Sequence, residues 1–195
     1  MRIHIKSRQC FAFISCRYEA DVQDIRQRCF ANADLLRIHP LYLLSFVYEH
    51  RFQRWTDWYS KLWREIVEIE TVTNMTSPSW GLKQIDKDRL DLLSHPDNLL
   101  AQQHATQVQL CHSQTVVAFA SRFGRFCSEA LENMEKCRVE SSLQPLSRRD
   151  MSDLTSRFNW TLQQCEAIAE RLSELRNRLT GQISVVYLRA SYLDL

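Results

Sequence analysis

Glycine and proline are scarce in this chain, which has three glycines and four prolines among 195 residues. Both residue types mark turns between helices and strands, so their scarcity predicts few turns and long uninterrupted elements. The densest cluster of turn residues lies at 76–81 and predicts a major break in the chain.

Long apolar runs are also absent. No stretch of about 18 or more apolar residues occurs, so we expect no membrane-spanning segment in this sequence. The opening residues mix charged and apolar side chains, which argues against a secretory signal. A cytoplasmic location is therefore expected.

Cysteine shows no C-x-x-C pairing, and its total of seven is odd. Without a secretory signal, that pattern argues against a disulfide framework. A structural zinc site needs four ligands at defined spacing, so we expect no cysteine metal centre. Cys111 and Cys165 fall on or beside apolar stripes, so we expect them to pack as small apolar side chains. The seven are Cys10, Cys16, Cys29, Cys111, Cys127, Cys137 and Cys165.

Neither charge sign dominates, because the formal net charge is only +2 and the charges are interspersed. Nucleic-acid binding needs a basic excess, so no nucleic-acid partner is expected. The sequence also lacks a glycine-rich phosphate loop, an HExxH motif and a Gly-x-Ser-x-Gly motif. It therefore predicts a non-catalytic protein, with no catalytic and no cofactor-binding residues.

Apolar residues recur every three or four positions between 41 and 69, with a mean step of 3.5 residues. At that heptad spacing, one apolar stripe keeps facing a neighbouring helix. We predict a long helix over 40–74 that buries this stripe against other helices. The stripe is Leu41, Leu44, Tyr48, Phe52, Trp55, Tyr59, Leu62, Ile66 and Ile69.

The same spacing returns twice and predicts two more long helices, over 99–137 and 148–192. Gly124 lies inside the second helix and would allow close approach of a neighbouring backbone, while Ser147 is a capping residue for the third. The second stripe is Ala105, Val108, His112, Val116, Phe119, Phe123, Phe126 and Ala130. The third stripe is Leu154, Phe158, Thr161, Cys165, Ile168, Leu172, Leu175, Leu179, Gln182 and Val186.

The remaining elements are short. Residues 1–18 contain apolar runs typical of strands, and 19–30 reads as a short amphipathic helix. Residues 32–40 read as a connector, because the residue before a proline avoids helical backbone. We therefore predict a mainly all-α fold, an antiparallel bundle of three long helices with coiled-coil-like packing. A single domain spans 19–195, preceded by a short β-hairpin.

Asp86, Asp88 and Asp91 form the best acidic cluster, and carboxylate oxygens are ligands that Mg²⁺ prefers. Lys87 and Arg89 partly neutralise this group. An ordinary solvated helix face is therefore the alternative to a metal site.

Two surfaces are candidates for partner binding. Trp58 and Trp63 lie off the first stripe, so they either face the 19–30 helix or form an exposed contact surface. The third helix ends in residues that are apolar all round, which calls for self-association or a protein partner there. These C-terminal candidates are Ile183, Val185, Tyr187 and Leu188.

Two stretches carry a family resemblance. Residues 32–45, NADLLRIHPLYLLS, are similar to the NPDLL..HPL.LP lead-in to the long helices of fungal CorA-like proteins, relatives of the CorA magnesium channels. Residues 182–193, QISVVYLRASYL, resemble the Q.SVVY end of the stalk helix in the same proteins.

The departures from that family limit what the resemblance implies. Channel members carry two membrane helices and a Gly-Met-Asn tripeptide after the stalk, and this sequence has neither. No channel residue is carried over. The resemblance implies the cytoplasmic helical domain only, a non-catalytic interaction or oligomerisation module. The alternatives are a divalent-cation sensor, a truncated fragment of a membrane transporter, or an enzyme that uses scattered histidines and cysteines.

Overall fold

The computed structural model describes residues 2–4, 9–75 and 87–193, with side-chain surroundings for 11–75, 87–88 and 91–186. This part of the chain is mainly α-helical, which confirms the all-α prediction. Two short strands, β1 (Arg2–His4) and β2 (Gln9–Phe11), pair antiparallel. The helices are α1 (Glu19–Ala31), α2 (Ala33–Ile38), α3 (Leu41–Val72), α4 (Lys87–Leu93), α5 (Pro96–Glu140) and α6 (Arg148–Leu193).

Backbone contacts divide the chain into two compact units. Unit 1 comprises residues 1–52 and 122–162, and unit 2 comprises residues 53–121 and 163–195. Each unit contains one segment of each long helix, α3, α5 and α6.

The connector predicted over 32–40 contains a helix, α2, that the sequence interpretation missed. Proline restricts only the residue before it, and that residue, His39, is extended with φ −153°. Residues 33–38 are thus free to form a helix of about one and a half turns. None of the residues in α2 is buried.

The ends of α5 differ from the predicted 99–137. The helix begins at Pro96, because proline lacks the N–H that a first-turn residue leaves unbonded in any case. It ends at Glu140, shortly before Ser142 adopts a positive φ of 56°. The start of α6 agrees with the predicted cap, since the hydroxyl of Ser147 accepts a hydrogen bond from the Asp150 N–H at 3.1 Å.

In unit 1, α1 is fixed to α3 and α3 to α6 by polar contacts. The buried Asp21 carboxylate lies 3.2 Å from Nε2 of His50. Glu49 pairs with Arg28 of α1 at 3.6 Å and with Arg157 of α6 at 3.0 Å. The Tyr42 hydroxyl donates to Asp153 at 3.0 Å.

In unit 2, α3 contacts both other long helices through polar pairs. The Thr106 hydroxyl of α5 donates to Glu65 at 3.3 Å. Arg178 of α6 donates two hydrogen bonds to Glu70, at 2.8 and 2.6 Å. One turn on, the Thr73 hydroxyl donates to the Gln182 amide oxygen at 2.5 Å.

These contacts give the helix directions within each unit. The sequence separation between paired α3 and α6 residues is 111 and 108 in unit 1, and 108 and 109 in unit 2. Because this separation stays nearly constant along the helices, the α3 and α6 segments of each unit run in the same direction. The α3–α5 contacts pair later α3 residues with earlier α5 residues, as in antiparallel neighbours.

The predicted stripes of α3 and α6 face inward. On α6, every stripe residue from Leu154 to Gln182 is buried, and Val186 is half-buried. On α3, four members are half-buried and the other five are fully buried. The five are Leu41, Tyr48, Leu62, Ile66 and Ile69.

The predicted stripe of α5 was wrong. Val108, Phe119 and Phe126 are 69%, 60% and 56% exposed. The buried residues follow a second heptad series, which is smaller and more polar than the predicted one. We call this series the inner stripe of α5. It comprises Leu99, Gln103, Thr106, Leu110, Ser113, Val117, Ala120, Gly124, Cys127 and Leu131.

The polar members of α5 are buried at little energetic loss because most have hydrogen-bond partners. The hydroxyls of Ser113 and Ser121 donate to the backbone carbonyls of Gln109 and Val117, one turn earlier in the same helix. Thr106 uses Glu65 of α3. Hydropathy alone therefore does not identify the buried face of this helix.

Gly124 accommodates a side chain, not the neighbouring backbone that the sequence interpretation expected. A Cβ at this position would lie 2.6 Å from Tyr48 Oη and 3.1 Å from two carbons of the same ring. The Tyr48 ring is buried and packs edge-on against Phe123, with centroids 5.5 Å apart. The glycine thus makes room for the tyrosine in the core of unit 1.

Gly124→Ala is expected to lower the free energy of unfolding by about 1–3 kcal/mol, because overpacking outweighs alanine's helix preference of about 1 kcal/mol. Tyr48→Phe removes the nearest atom and should recover part of that loss in the double variant. Gly181→Ala is the control, since a Cβ there meets nothing within 4 Å and should be neutral or stabilising. Urea unfolding measures the free energy of unfolding of all four variants. Equal effects of Gly124→Ala and Gly181→Ala would contradict this packing.

Candidate interaction surface

The residues predicted for the core of α5 are instead exposed or half-buried, both those in unit 2 and those in unit 1. We call this series, without the exposed Ala105, the outer stripe. His112 is exposed with Val108, Phe119 and Phe126, whereas the other members are half-buried. Exposed apolar side chains grouped on one face are typical of interaction sites in soluble proteins. The outer stripe comprises Val108, His112, Val116, Phe119, Phe123, Phe126 and Ala130.

Aromatic contacts hold parts of this face in place. In unit 1, Phe123 lies 5.5 Å from the Tyr48 ring and 6.3 Å from Phe126. Phe126 is therefore supported from one side by a ring anchored in the core, while more than half of its surface remains exposed.

Trp58, one of the predicted surface residues, is half-buried and contacts the outer stripe. Its ring lies 5.4 Å from the His112 ring in unit 2. Trp63 is also half-buried, and its ring makes no aromatic contact with the residues that the structure describes. The structure thus brings Trp58, but not Trp63, to a surface that the sequence did not identify.

A small cavity lies under the aromatic band of α3 in unit 2, where Trp55, Trp58 and Tyr59 meet residues of α5 and α6. Its volume, counted as space open to the centre of a water molecule, is about 10 Å³. A cavity needs roughly 10–15 Å³ by this measure to hold one water. The enclosed part of this cavity is therefore about the size of one water molecule.

The C-terminal candidates are only partly described. Ile183 and Val185 are half-buried on α6, while the side chains of Tyr187 and Leu188 lie outside the described surroundings. Gln182, which sits on the stripe just before them, is buried and bonded to Thr73. The polar seam residue is thus matched by a partner just past the end of α3.

The acidic cluster is also divided. Asp86 lies outside the described residues, and Asp88 and Asp91 are exposed on the seven-residue α4. Within the described ranges, no group of three or more histidine, cysteine, aspartate or glutamate side chains could hold a metal ion. A magnesium site at 86–91 stays a prediction.

Buried titratable groups concentrate in unit 1. Burial, followed by the hydrogen bond to Asp153, raises the pKa of Tyr42 to about 12, so Tyr42 remains a donor. Burial raises the pKa of the Cys127 thiol to about 12 as well, which makes it a poor nucleophile. Of the buried polar atoms in the described part, both amide atoms of Gln103 lack a hydrogen-bond partner.

His39 is fully buried at the start of α3 and caps it. Its Nδ1 accepts the Leu41 N–H at 3.2 Å, so the neutral ring carries its proton on Nε2. That Nε2 faces Glu135 of α5 at 3.7 Å. Burial, and then the charge of Arg138, lower the pKa of His39 from 6.5 to about 4.

Comparison with protein-family models, with curated proteins and with solved structures finds no match for this chain. Across 2–4, 9–75 and 87–193, none of the helices combines the length and apolar character that crossing a bilayer requires. The case for the outer stripe as a candidate interaction surface therefore depends only on the exposure and contacts of its residues. The sequence of α5 carries two heptad series, and periodicity alone does not tell which of them faces α3 and α6.

His39 predicts a pH dependence of stability. The folded chain keeps this ring neutral down to about pH 4, whereas the unfolded chain protonates it below about 6.5. Stability should therefore fall by about 3 kcal/mol as pH drops from 6.5 to 4.

His39→Asn tests this, because the asparagine oxygen replaces Nδ1 as the cap of Leu41 and does not titrate. Urea unfolding at intervals between pH 7 and pH 4 should show a shallower decline in the variant. His104→Asn, at an exposed position of α5, is the control and should keep the wild-type decline. Parallel curves for wild type and His39→Asn would contradict the assignment.

Proposed function

We propose that this chain is a non-catalytic helical interaction module that self-associates or binds a protein partner. The outer stripe of α5 is the observation that supports this best. Three of its large apolar side chains are each more than half exposed. Burial of apolar surface is the main driving force of protein association, so covering this face would be favourable.

The proposal includes the architecture expected from the heptads. The three long helices form an antiparallel bundle with coiled-coil-like packing, in one domain over 19–195, with a hairpin within 1–18. The support is the buried heptad of α6 and the spacing of about 108 residues between α3 and α6 partners. Such a bundle leaves the α5 face outside its own packing.

The chain also resembles the cytoplasmic helical domain of fungal CorA-like proteins, and we propose this relationship together with a cytoplasmic location. Residues 32–45 include the start of α3 at Leu41, and 182–193 form the last turns of α6. Their positions at the start and at the end of long helices support the proposed relationship. The half-buried Ile183 and Val185 offer a second contact near that end.

A hydrophobic dye and light scattering test the proposed function. The double variant Val108→Glu and Phe126→Glu places charges on the outer stripe and should abolish most dye binding while the helical circular dichroism is kept. Val139→Glu is the matched control, because Val139 is 61% exposed on the same helix but off the stripe. It should keep the wild-type dye signal.

The outcome that would overturn the proposal is equally direct. A wild-type chain that stays a 23.1 kDa monomer at all concentrations and binds no dye has no accessible apolar face. If dye binding persists unchanged in the double variant, the apolar surface that binds the dye lies outside the outer stripe.

A further inference from the structure

The charges beside the outer stripe follow a self-complementary order in unit 1. Arg122 and Arg125 precede Phe126 on α5, and Glu129 and Glu132 follow it. All four charged side chains are exposed. Two positive charges precede the exposed Phe126 and two negative charges follow it, so the order of charges is complementary to its own reverse.

Heptad geometry places the first and third of these charges on one edge of the stripe. Arg122 and Glu129 are seven residues apart, so both flank the line of Phe123, Phe126 and Ala130 on the same side. Flanking positions of this kind carry the charges that set partner and orientation when two helices pair.

The orientation of a second α5 decides whether these charges attract. In an antiparallel pair, Arg122 of each copy lies opposite Glu129 of the other, and Phe123 lies opposite Phe126. In a parallel pair, Arg122 and Glu129 would face the uncharged Cys127 and Met134 of the other copy, so no opposite charges would meet. A partner surface of a single charge sign would attract one of Arg122 and Glu129 and repel the other.

Neither Arg122 nor Glu129 forms an ion pair with any residue that the structure describes. The Phe126 side chain is 56% exposed. Arg122 and Glu129 can therefore take part in an intermolecular contact, and Phe126 supplies apolar surface at its centre.

We infer that a second copy of this chain covers this part of α5, in an antiparallel pairing with Phe126 beside the two-fold axis. The inference rests on the proposed function and names its partner. The apolar contact drives association, and the charges select the antiparallel orientation. A contact one helix wide is small among specific interfaces, so we expect dissociation in the micromolar range.

Charge exchange tests the pairing. Arg122→Glu leaves two glutamates facing each other at each end, and Glu129→Arg leaves two arginines. Each variant alone should weaken the dimer at least about tenfold, because two attractive contacts become repulsive. Mixed in equal amounts, the two variants should form a heterodimer with near wild-type affinity. The double variant should pair with itself.

Light scattering over a concentration series measures the mass of each sample, and circular dichroism checks that each variant is folded. Arg171→Glu, at an exposed position of α6, is the control for charge reversal and should leave the wild-type dimer unchanged. Phe126→Ser should give a folded monomer.

The outcomes separate this inference from the proposed function. A wild-type monomer at every concentration that still binds the dye at the outer stripe would overturn self-pairing and leave the interaction module intact. A wild-type dimer that tolerates both single charge reversals would overturn the antiparallel arrangement. Recovery of the dimer on mixing is the result that only the proposed pairing predicts.

Discussion

The size of the side chains on the inner stripe of α5 is the constraint on which the structure depends. Tyr48 of α3 occupies the space beside Gly124, and the α6 stripe brings phenylalanine, leucine and isoleucine. A helix that packs against such partners at native density needs small residues at the contact. Near Tyr48 the inner stripe supplies Ala120, Gly124 and Cys127, and the phenylalanines of α5 lie outside this stripe.

The stripes of α3 and α6 could be predicted from their heptad spacing, although Tyr42, Phe46 and Val67 of α3 are buried outside the predicted stripe. Even Gln182, a polar residue on the α6 seam, follows the register and meets Thr73. For α5 the same reasoning selected the more apolar of two series. It failed because serine and threonine hydroxyls find hydrogen-bond partners within or between helices, so burying them is inexpensive.

The exposed apolar face of α5 was not among the surfaces predicted from the sequence. An exposed apolar contact was expected on the sequence evidence, at Trp58, Trp63 and the end of α6. Of these, Trp58 lies beside the outer stripe, through His112. The stripe itself could not be predicted, because exposure follows from which face the other helices occupy, and pair contacts of this kind are not encoded in periodicity alone. The capping role of His39 likewise depends on a tertiary neighbour, Glu135.

Paired alanine substitutions on α5 test the central claim most directly, since Leu110 is fully buried on the inner stripe and Val108 is 69% exposed on the outer stripe. Leu110→Ala should lower the free energy of unfolding by about 2–5 kcal/mol, as for buried leucines in general. Val108→Ala should change it by no more than about 0.5 kcal/mol. A larger loss from Val108→Ala than from Leu110→Ala, measured by urea unfolding, would show that α5 packs through the opposite face.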